Sequence, residues 1–129
     1  MDGSGGDVAV FLQDDQILIL LRGDIDLSVG EDLEDAGRDA IDAGIPIVID
    51  VRRVQMIDSV GLSFLVRMGS AAQAGGRRAV LRGPSPPIEE LIQIIGAADL
   101  FTWVDEPDAE PGSAQATGQG PADQNVGSG

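Results

Sequence analysis

The chain has 129 residues, 43% of them apolar, which is enough for one modest hydrophobic core and therefore for one domain. The formal net charge is −14, and the eight basic residues are all arginine. This charge argues against nucleic acids and anionic membranes as partners, because both select basic surfaces. The sequence contains no cysteine or histidine, which excludes disulfides, thiol chemistry, histidine metal ligands and a Ser-His-Asp triad.

The first six residues are rich in glycine and carry neither a basic region nor an apolar core, so they lack the features of a signal peptide. We expect residues 1–6 to be flexible. The longest aliphatic run, Ile17 to Leu21, is far shorter than a membrane-spanning helix. These features predict a cytoplasmic protein.

Two strands are predicted near the N-terminus. Val8, Val10 and Leu12 stand at alternate positions, which is typical of a half-exposed strand. Residues 17–21 form the second strand, and the Asp14-Asp15 pair between the two is a turn signal. The pattern therefore predicts a β-hairpin.

An acidic stretch, Gly23 to Leu27, follows and is predicted to be a loop. Ser28 and Glu31 fit a capping box, in which Ser28 bonds the first helical turn and Glu31 reaches back. The helix that follows is predicted to end at Gly44. Its predicted inner face consists of Leu33, Ala36, Ala40 and Ile41.

The aliphatic run at residues 45–49, ending at Asp50, indicates a strand buried on both faces. Residues 51–57 are predicted to be a loop that crosses the sheet edge, and a second helix begins at Asp58 and Ser59. Its predicted inner face consists of Leu62, Leu65, Val66 and Gly69.

Gly75-Gly76 interrupts the helical pattern, and a short strand is predicted at residues 79–81. The proline-rich segment 83–87 opens a third helix, and Phe101 to Val104 forms the last strand. The apolar residues spaced for burial in the third helix are Ile88, Leu91, Ile92 and Ile95. The order β-β-α-β-α-β-α-β predicts an α/β fold whose sheet is parallel apart from the first hairpin strand.

After Asp105 the composition changes to proline, glycine, alanine, serine, glutamine and acidic residues, with Val126 the only large aliphatic residue. Such a segment has too little apolar surface to order itself. We therefore predict one domain over residues 1–105 and a disordered acidic tail over residues 106–129.

Asp58-Ser59-Val60-Gly61 is the first candidate site, and two interpretations remain open. Asp and Ser satisfy free N–H groups at helix starts, so the pair can be a structural N-cap. A serine at such a position is also exposed, and a phosphate on it would meet the positive end of the helix dipole. A catalytic serine elbow requires glycine two residues before the nucleophile, where Ile57 stands.

Asp24 and Asp26 are the second candidate. With Ser28 they have the spacing of the start of a calcium-binding EF-hand loop. Val29, however, stands where that loop requires glycine, and Asp35 stands where it requires glutamate. We therefore predict no metal site, and no motif indicates a cofactor.

Residues 47–50, Val54 and residues 56–62 resemble the STAS domain of bacterial anti-sigma factor antagonists. Gly23 to Asp26 are similar to the acidic loop of that family, and residues 81–87 with the helix after them resemble it as well. The resemblance covers roughly residues 7–104 and implies a single STAS-like domain. Three features depart from the family pattern: Val60 replaces a second Ser or Thr, Arg52 replaces a small residue, and Pro107 and Pro111 interrupt the expected final helix.

The resemblance implies a partner-switching regulator that is not an enzyme. The unphosphorylated antagonist would bind an anti-sigma factor that is also a serine kinase, and so free the sigma factor. Phosphorylation of Ser59 by that kinase would abolish binding, and a phosphatase would reverse it. The partner-binding residues implied are Asp24, Asp26, Asp58, Ser59, Val60 and Gly61.

Two alternatives remain. One is a STAS module that is never phosphorylated and serves as a scaffold or ligand-binding subunit. The other is a receiver-like domain phosphorylated on Asp50, although such domains need a lysine and the chain has none.

Overall fold

The computed structural model describes residues 5–104, so the predicted tail and most of the predicted flexible N-terminus lie outside the described residues. The strands are β1 (Asp7–Leu12), β2 (Ile17–Ile25), β3 (Ile47–Ile57), β4 (Ala79–Arg82) and β5 (Phe101–Val104). The helices are α1 (Gly30–Ala43), α2 (Ser59–Ala74) and α3 (Pro86–Ile94), and short 3₁₀ turns lie at Leu27–Val29 and Ala98–Leu100.

The five strands form one sheet in the order β1-β2-β3-β4-β5. β1 pairs antiparallel with β2, and the pairings β2–β3, β3–β4 and β4–β5 are parallel. The predicted α/β fold is thereby confirmed, including the antiparallel first strand. Because β2 and β3 run the same way and Ile25 lies opposite Ile57, their carboxyl ends meet at one edge of the sheet.

All three helices lie on one face of the sheet. Their buried side chains, such as Leu33, Phe64 and Ile92, belong to one cluster with Ile19 and Ile49 of the central strands. The other face, which we call the open face, is covered by no helix among residues 5–104. The side chains that point to it from β2, β3 and β4 are Leu18, Leu20, Arg22, Val48, Asp50, Val80 and Arg82.

β2 and β3 are both longer than predicted, and the predicted loop at residues 51–57 is wrong. β3 continues to Ile57, with Val51, Val54 and Ile57 buried at intervals of three rather than two. Register shifts, typical of β-bulges, accommodate the additional residues, so that Arg22 lies opposite Arg53. The predicted loop after the second strand is likewise strand as far as Ile25.

The predicted capping box at Ser28 is also wrong. Asp26, not Ser28, caps the 3₁₀ turn, and α1 begins only after it, with Val29 at its N-cap and no side-chain hydrogen bond there. Gly44 ends α1 as predicted, in a left-handed conformation with φ of 65° that favours glycine. Ile41, assigned to the inner face, is 46% exposed.

α2 and α3 follow the predicted periodicity with small shifts in which residues face inward. Leu65 and Gly69 are buried as predicted, but Leu62 and Val66 lie at the margin of the core. In α3, Ile88 and Ile92 are buried and Leu91 is half-buried, whereas Ile95 follows the last residue of the helix and is exposed. Within residues 5–104, each helix is too short or too polar to cross a bilayer.

Candidate functional site

Ser59 is the first residue of α2, and its side chain is exposed. The residue before it, Asp58, has extended backbone and is the N-cap. One carboxylate oxygen of Asp58 accepts hydrogen bonds from the N–H groups of Val60 at 2.8 Å and Gly61 at 3.3 Å. The structural N-cap interpretation therefore holds for Asp58. The Ser59 hydroxyl is not required for capping, so it remains accessible to a partner.

The acidic segment of β2 lies beside this helix start. The backbone N–H of Asp58 donates to the carbonyl oxygen of Ile25 at 3.2 Å, and Asp24 lies opposite Met56 in the strand pairing. Parallel strands that end together thus bring residues 24–26 and 58–61 to the same edge, although more than thirty positions separate them. The structure brings together all six residues that the sequence singled out.

Gly61 is buried and allows α2 to approach the strand ends closely. A Cβ atom at this position would lie 2.4 Å from Cγ1 of Ile57 and 2.8 Å from the carbonyl oxygen of Ile25. Both distances are shorter than van der Waals contact, so a side chain there would displace the helix. Glycine at this place in the motif sets the position of Ser59.

Asp26 is held by Ser28, whose hydroxyl and backbone N–H donate to the same carboxylate oxygen at 2.6 and 3.0 Å. These hydrogen bonds, the side-chain one first, lower the pKa of Asp26 below its ordinary value, because they favour the ionised form. Asp26 therefore carries a full negative charge near the helix start at neutral pH.

The segment before β1 passes beside Asp24. A Cβ atom on Gly6 would lie 2.0 Å from the carbonyl oxygen of Asp24, so the two backbones approach more closely than a side chain would allow. Residues 5 and 6, which the sequence assigned to a flexible end, thus lie against β2. This contact helps to position the half-buried Asp24 at the edge of the site.

Two exposed apolar side chains flank the acidic groups and were not singled out from the sequence. Leu27 is 76% exposed in the 3₁₀ turn after Asp26, and Met56 is 42% exposed opposite Asp24. Exposed apolar side chains beside charged ones are typical of protein interfaces. Met56 belongs to the STAS-like motif, but it was not predicted as a binding residue, because residues 51–57 were interpreted as a loop rather than as a strand that pairs with Asp24.

Asp50 occupies a different environment, buried near the middle of β3 with its side chain 4% exposed. The guanidinium group of Arg52 donates to both of its carboxylate oxygens, and Nη1 of Arg82 lies 3.8 Å from one of them. Among residues 5–104 there is no cluster of three acidic side chains that could hold a metal ion. Asp50 is therefore buried and ion-paired, and it is not an accessible phosphate acceptor for the receiver-like alternative.

Arg52 was a departure from the family pattern, and the structure gives it a local role. Its backbone N–H also donates to Asp50, at 3.1 Å, so the pair is held by side-chain and backbone contacts together. Burial raises the pKa of Asp50, but the hydrogen bonds from Arg52 and the charges of Arg52 and Arg82 outweigh that effect and lower the pKa below its ordinary value.

A five-stranded sheet with an Asp-capped helix at its acidic edge is the arrangement that the STAS resemblance implies. Residues 8–102 match the family model described as Mlab, STAS domain, and the chain therefore belongs to the STAS domain family. No curated protein sequence matches the chain.

Solved structures confirm the fold. An anti-sigma factor antagonist from Mycobacterium paratuberculosis is 25% identical, with a TM-score of 0.65 over 83% of this chain and 92% of that one. The phosphorylated form of the Bacillus cell fate determinant SpoIIAA is 21% identical, with a TM-score of 0.63 over 76% of this chain and 91% of that one. The unphosphorylated anti-sigma factor antagonist SpoIIAA is 22% identical, with a TM-score of 0.61 over 68% and 83%.

Proposed function

We propose that this protein is an anti-sigma factor antagonist that works by partner switching. In its unphosphorylated form it binds an anti-sigma factor that is also a serine kinase, and so frees a sigma factor. The kinase phosphorylates Ser59 and a phosphatase removes the phosphate. The protein is in this scheme a cytoplasmic substrate and ligand rather than an enzyme, and ATP belongs to the kinase.

The observation that carries the proposal is the exposed position of Ser59 at the start of α2, at the edge of the sheet where three acidic residues also lie. Asp58 holds the helix N-terminus, while Asp24 and Asp26 lie on the neighbouring chain segment. A kinase can reach this serine without unfolding any part of the site. SpoIIAA has been solved in a phosphorylated and in an unphosphorylated form, which supports the proposal that this chain is phosphorylated too.

The local electrostatics indicate why a phosphate would act as a switch. The N–H groups of Val60 and Gly61 are already bonded to Asp58, so a phosphate on Ser59 would compete with that carboxylate for the same donors. It would bring about −1.5 to −2 charges to an acidic edge. In water, like charges about 4 Å apart repel by only about 1 kcal/mol, but at an effective dielectric near 20 the repulsion rises to about 4 kcal/mol. The cost therefore falls mainly on a closed interface.

Partner recognition would use the acidic groups together with the exposed apolar pair. Leu27 and Met56 supply apolar contact area, and Asp24 and Asp26 supply charge that a basic partner surface can meet. Buried apolar contacts would set the affinity, while charges at the rim would set orientation and association rate.

The direct test is incubation of the purified full chain with candidate kinases and ATP, followed by mass spectrometry of the phosphopeptides. We expect phosphate on Ser59 and none in the Ser59→Ala variant. The matched control is Ser63→Ala, since Ser63 is exposed one turn further along the same helix. Phosphate retained by Ser59→Ala, or lost from Ser63→Ala alone, would contradict the assignment.

A second candidate function is a STAS module that binds its partner without phosphorylation. The observation in its favour is that the matching family model is described by Mlab rather than by an antagonist. Under this alternative, a partner captured from host extract would bind wild type and Ser59→Ala equally, and the protein isolated from its host would carry no phosphate.

A further inference from the structure

A row of arginines crosses the open face of the sheet. Arg22 of β2, Arg52 and Arg53 of β3 and Arg82 of β4 all line one cavity of about 360 Å³, together with Asp50, Leu18 and Leu20. The register places them side by side, because Arg22 lies opposite Arg53 and Arg82 lies opposite Asp50. Half of the eight basic residues of a chain with net charge −14 are thus concentrated at one place.

A β-bulge is what makes the row possible. In a regular strand, consecutive side chains point to opposite faces, so Arg52 and Arg53 could not both line one cavity. The register shift between residues 20 and 22 of β2 gives β3 one extra residue there, and both arginines are directed outward between the buried Val51 and Val54. The four arginines outnumber Asp7 and Asp50, with which Arg22, Arg52 and Arg82 form ion pairs, so the geometry of the sheet leaves an excess of positive charge there.

The chain itself supplies an acidic segment beside this row. β5 ends at Val104, which lies opposite Arg82, and the N–H of Gly83 donates to the carbonyl oxygen of Val104 at 2.7 Å. The next six residues contain four acidic ones: Asp105, Glu106, Asp108 and Glu110. The chain beyond residue 110 has one further charge, at Asp123.

We propose that the acidic segment 105–110 binds across the arginine row and covers the open face of the sheet. Adjacent strands are about 4.8 Å apart, so the row lies roughly 5 to 15 Å from the end of β5. Six extended residues span about 20 Å, which is enough to pass over β4 and β3 and reach β2. A segment tethered directly beside its binding surface has a high effective concentration, which favours it over free anions.

Binding of segment 105–110 to the arginine row does not depend on the function assigned to Ser59. With this segment bound, the predicted disordered tail would comprise residues 111–129 instead of 106–129. The segment would cover the ion pair of Asp50, Arg52 and Arg82 and would take the place of a further structural layer on this face. The interaction is electrostatic and therefore sensitive to salt.

The 129 residues contain no cysteine, so a single introduced cysteine can be labelled specifically. An Ala109→Cys variant is labelled with a nitroxide, and paramagnetic broadening of the backbone amides is measured by NMR. We expect strong broadening at Leu20, Arg53 and Arg82, and sharp signals at Ala40 on the helix side. Broadening on both faces alike, or on neither, would overturn the proposal.

Two charge variants of the labelled protein separate specific binding from overall charge. The first neutralises the segment with Asp105→Asn, Glu106→Gln, Asp108→Asn and Glu110→Gln. The second removes the same number of charges elsewhere with Asp14→Asn, Asp15→Asn, Asp39→Asn and Asp42→Asn, all at exposed positions. We expect the first variant, and about 0.5 M salt, to abolish the broadening, and the second to retain it. Equal behaviour of the two variants would refute binding at the arginine row.

A mixed sample identifies the molecule that supplies the segment. Nitroxide-labelled protein without ¹⁵N is mixed with ¹⁵N-labelled protein that carries no nitroxide. Only the second protein gives NMR signals, so any broadening must come from the nitroxide of another copy. We expect none. Broadening as strong as in the singly labelled sample would assign the surface to contacts between copies and overturn the intramolecular proposal.

Discussion

Replacement of Asp50 by asparagine tests how much the buried ion pair contributes to the stability of the sheet. The variant keeps the shape of the side chain and an oxygen that can accept from the N–H of Arg52. It loses the charge that holds the guanidinium groups of Arg52 and Arg82, at 2.8 and 3.8 Å. Removal of one partner from a buried pair costs about 3–5 kcal/mol. Both arginine side chains are more than a quarter exposed, so water offsets part of this cost and we expect a loss of about 2–3 kcal/mol.

The same reasoning predicts a dependence on pH with a definite sign. The pKa of Asp50 is lower in the folded state than its ordinary value of 3.8, because the contacts with Arg52 and Arg82 outweigh the effect of burial. A lowered folded-state pKa gives stability that is fully present above the unfolded-state pKa and is lost as the pH falls through the folded-state pKa. The difference in unfolding free energy between wild type and Asp50→Asn should therefore stay constant from neutral pH down to about pH 5 and become smaller below about pH 4.

Urea unfolding followed by circular dichroism measures both effects. Asp42→Asn, at an exposed position of α1, is the matched control for the loss of one negative charge, and we expect it to change stability by less than about 0.5 kcal/mol. We expect the unfolding midpoint of Asp50→Asn to fall with an unchanged denaturant slope. Equal stability of the Asp50→Asn and Asp42→Asn variants at neutral pH would show that the pair does not stabilise the fold.

Three further predictions concern the candidate site. Ser59→Asp should keep the fold but weaken binding to the kinase partner at least tenfold, about 1.4 kcal/mol, in calorimetric titration. The control variant Ser63→Asp should bind with the affinity of wild type. Equal affinities of Ser59→Asp and wild type would show that the switch is not at Ser59. Asp24→Ala should weaken binding more than it lowers the unfolding free energy, and a parallel loss of both would make Asp24 a structural residue. Gly61→Ala should destabilise the fold by about 1–3 kcal/mol, because its Cβ atom would lie 2.4 Å from Cγ1 of Ile57. The control is Gly30→Ala, whose Cβ atom would meet no atom closer than 3.8 Å. Similar unfolding midpoints of the two variants would show that Gly61 is not required for close packing.

Local sequence patterns were sufficient to predict the order of elements, the antiparallel first strand and the helix start at Asp58. Each of these features depends on residues close together in the chain, such as an aliphatic run, a capping carboxylate or the glycine at 44 that ends α1. The N-cap at Asp58 and the exposure of Ser59 follow from the same local chemistry. The six candidate residues do lie at one edge of the sheet, and their role in binding a partner stays a prediction.

Tertiary structure alone decided the features that involve distant segments. The extension of β3 to Ile57 needed a partner strand and β-bulges, since buried residues spaced three apart do not fit the alternation of a regular strand. Asp26 rather than Ser28 became the cap because β2 continues to Ile25 and a 3₁₀ turn follows directly after Asp26, so that α1 begins only at Gly30. The contact between Asp50 and Arg82 joins residues on neighbouring strands, which no local pattern encodes. Sequence periodicity reports which residues favour burial, and only strand pairing decides which of them meet.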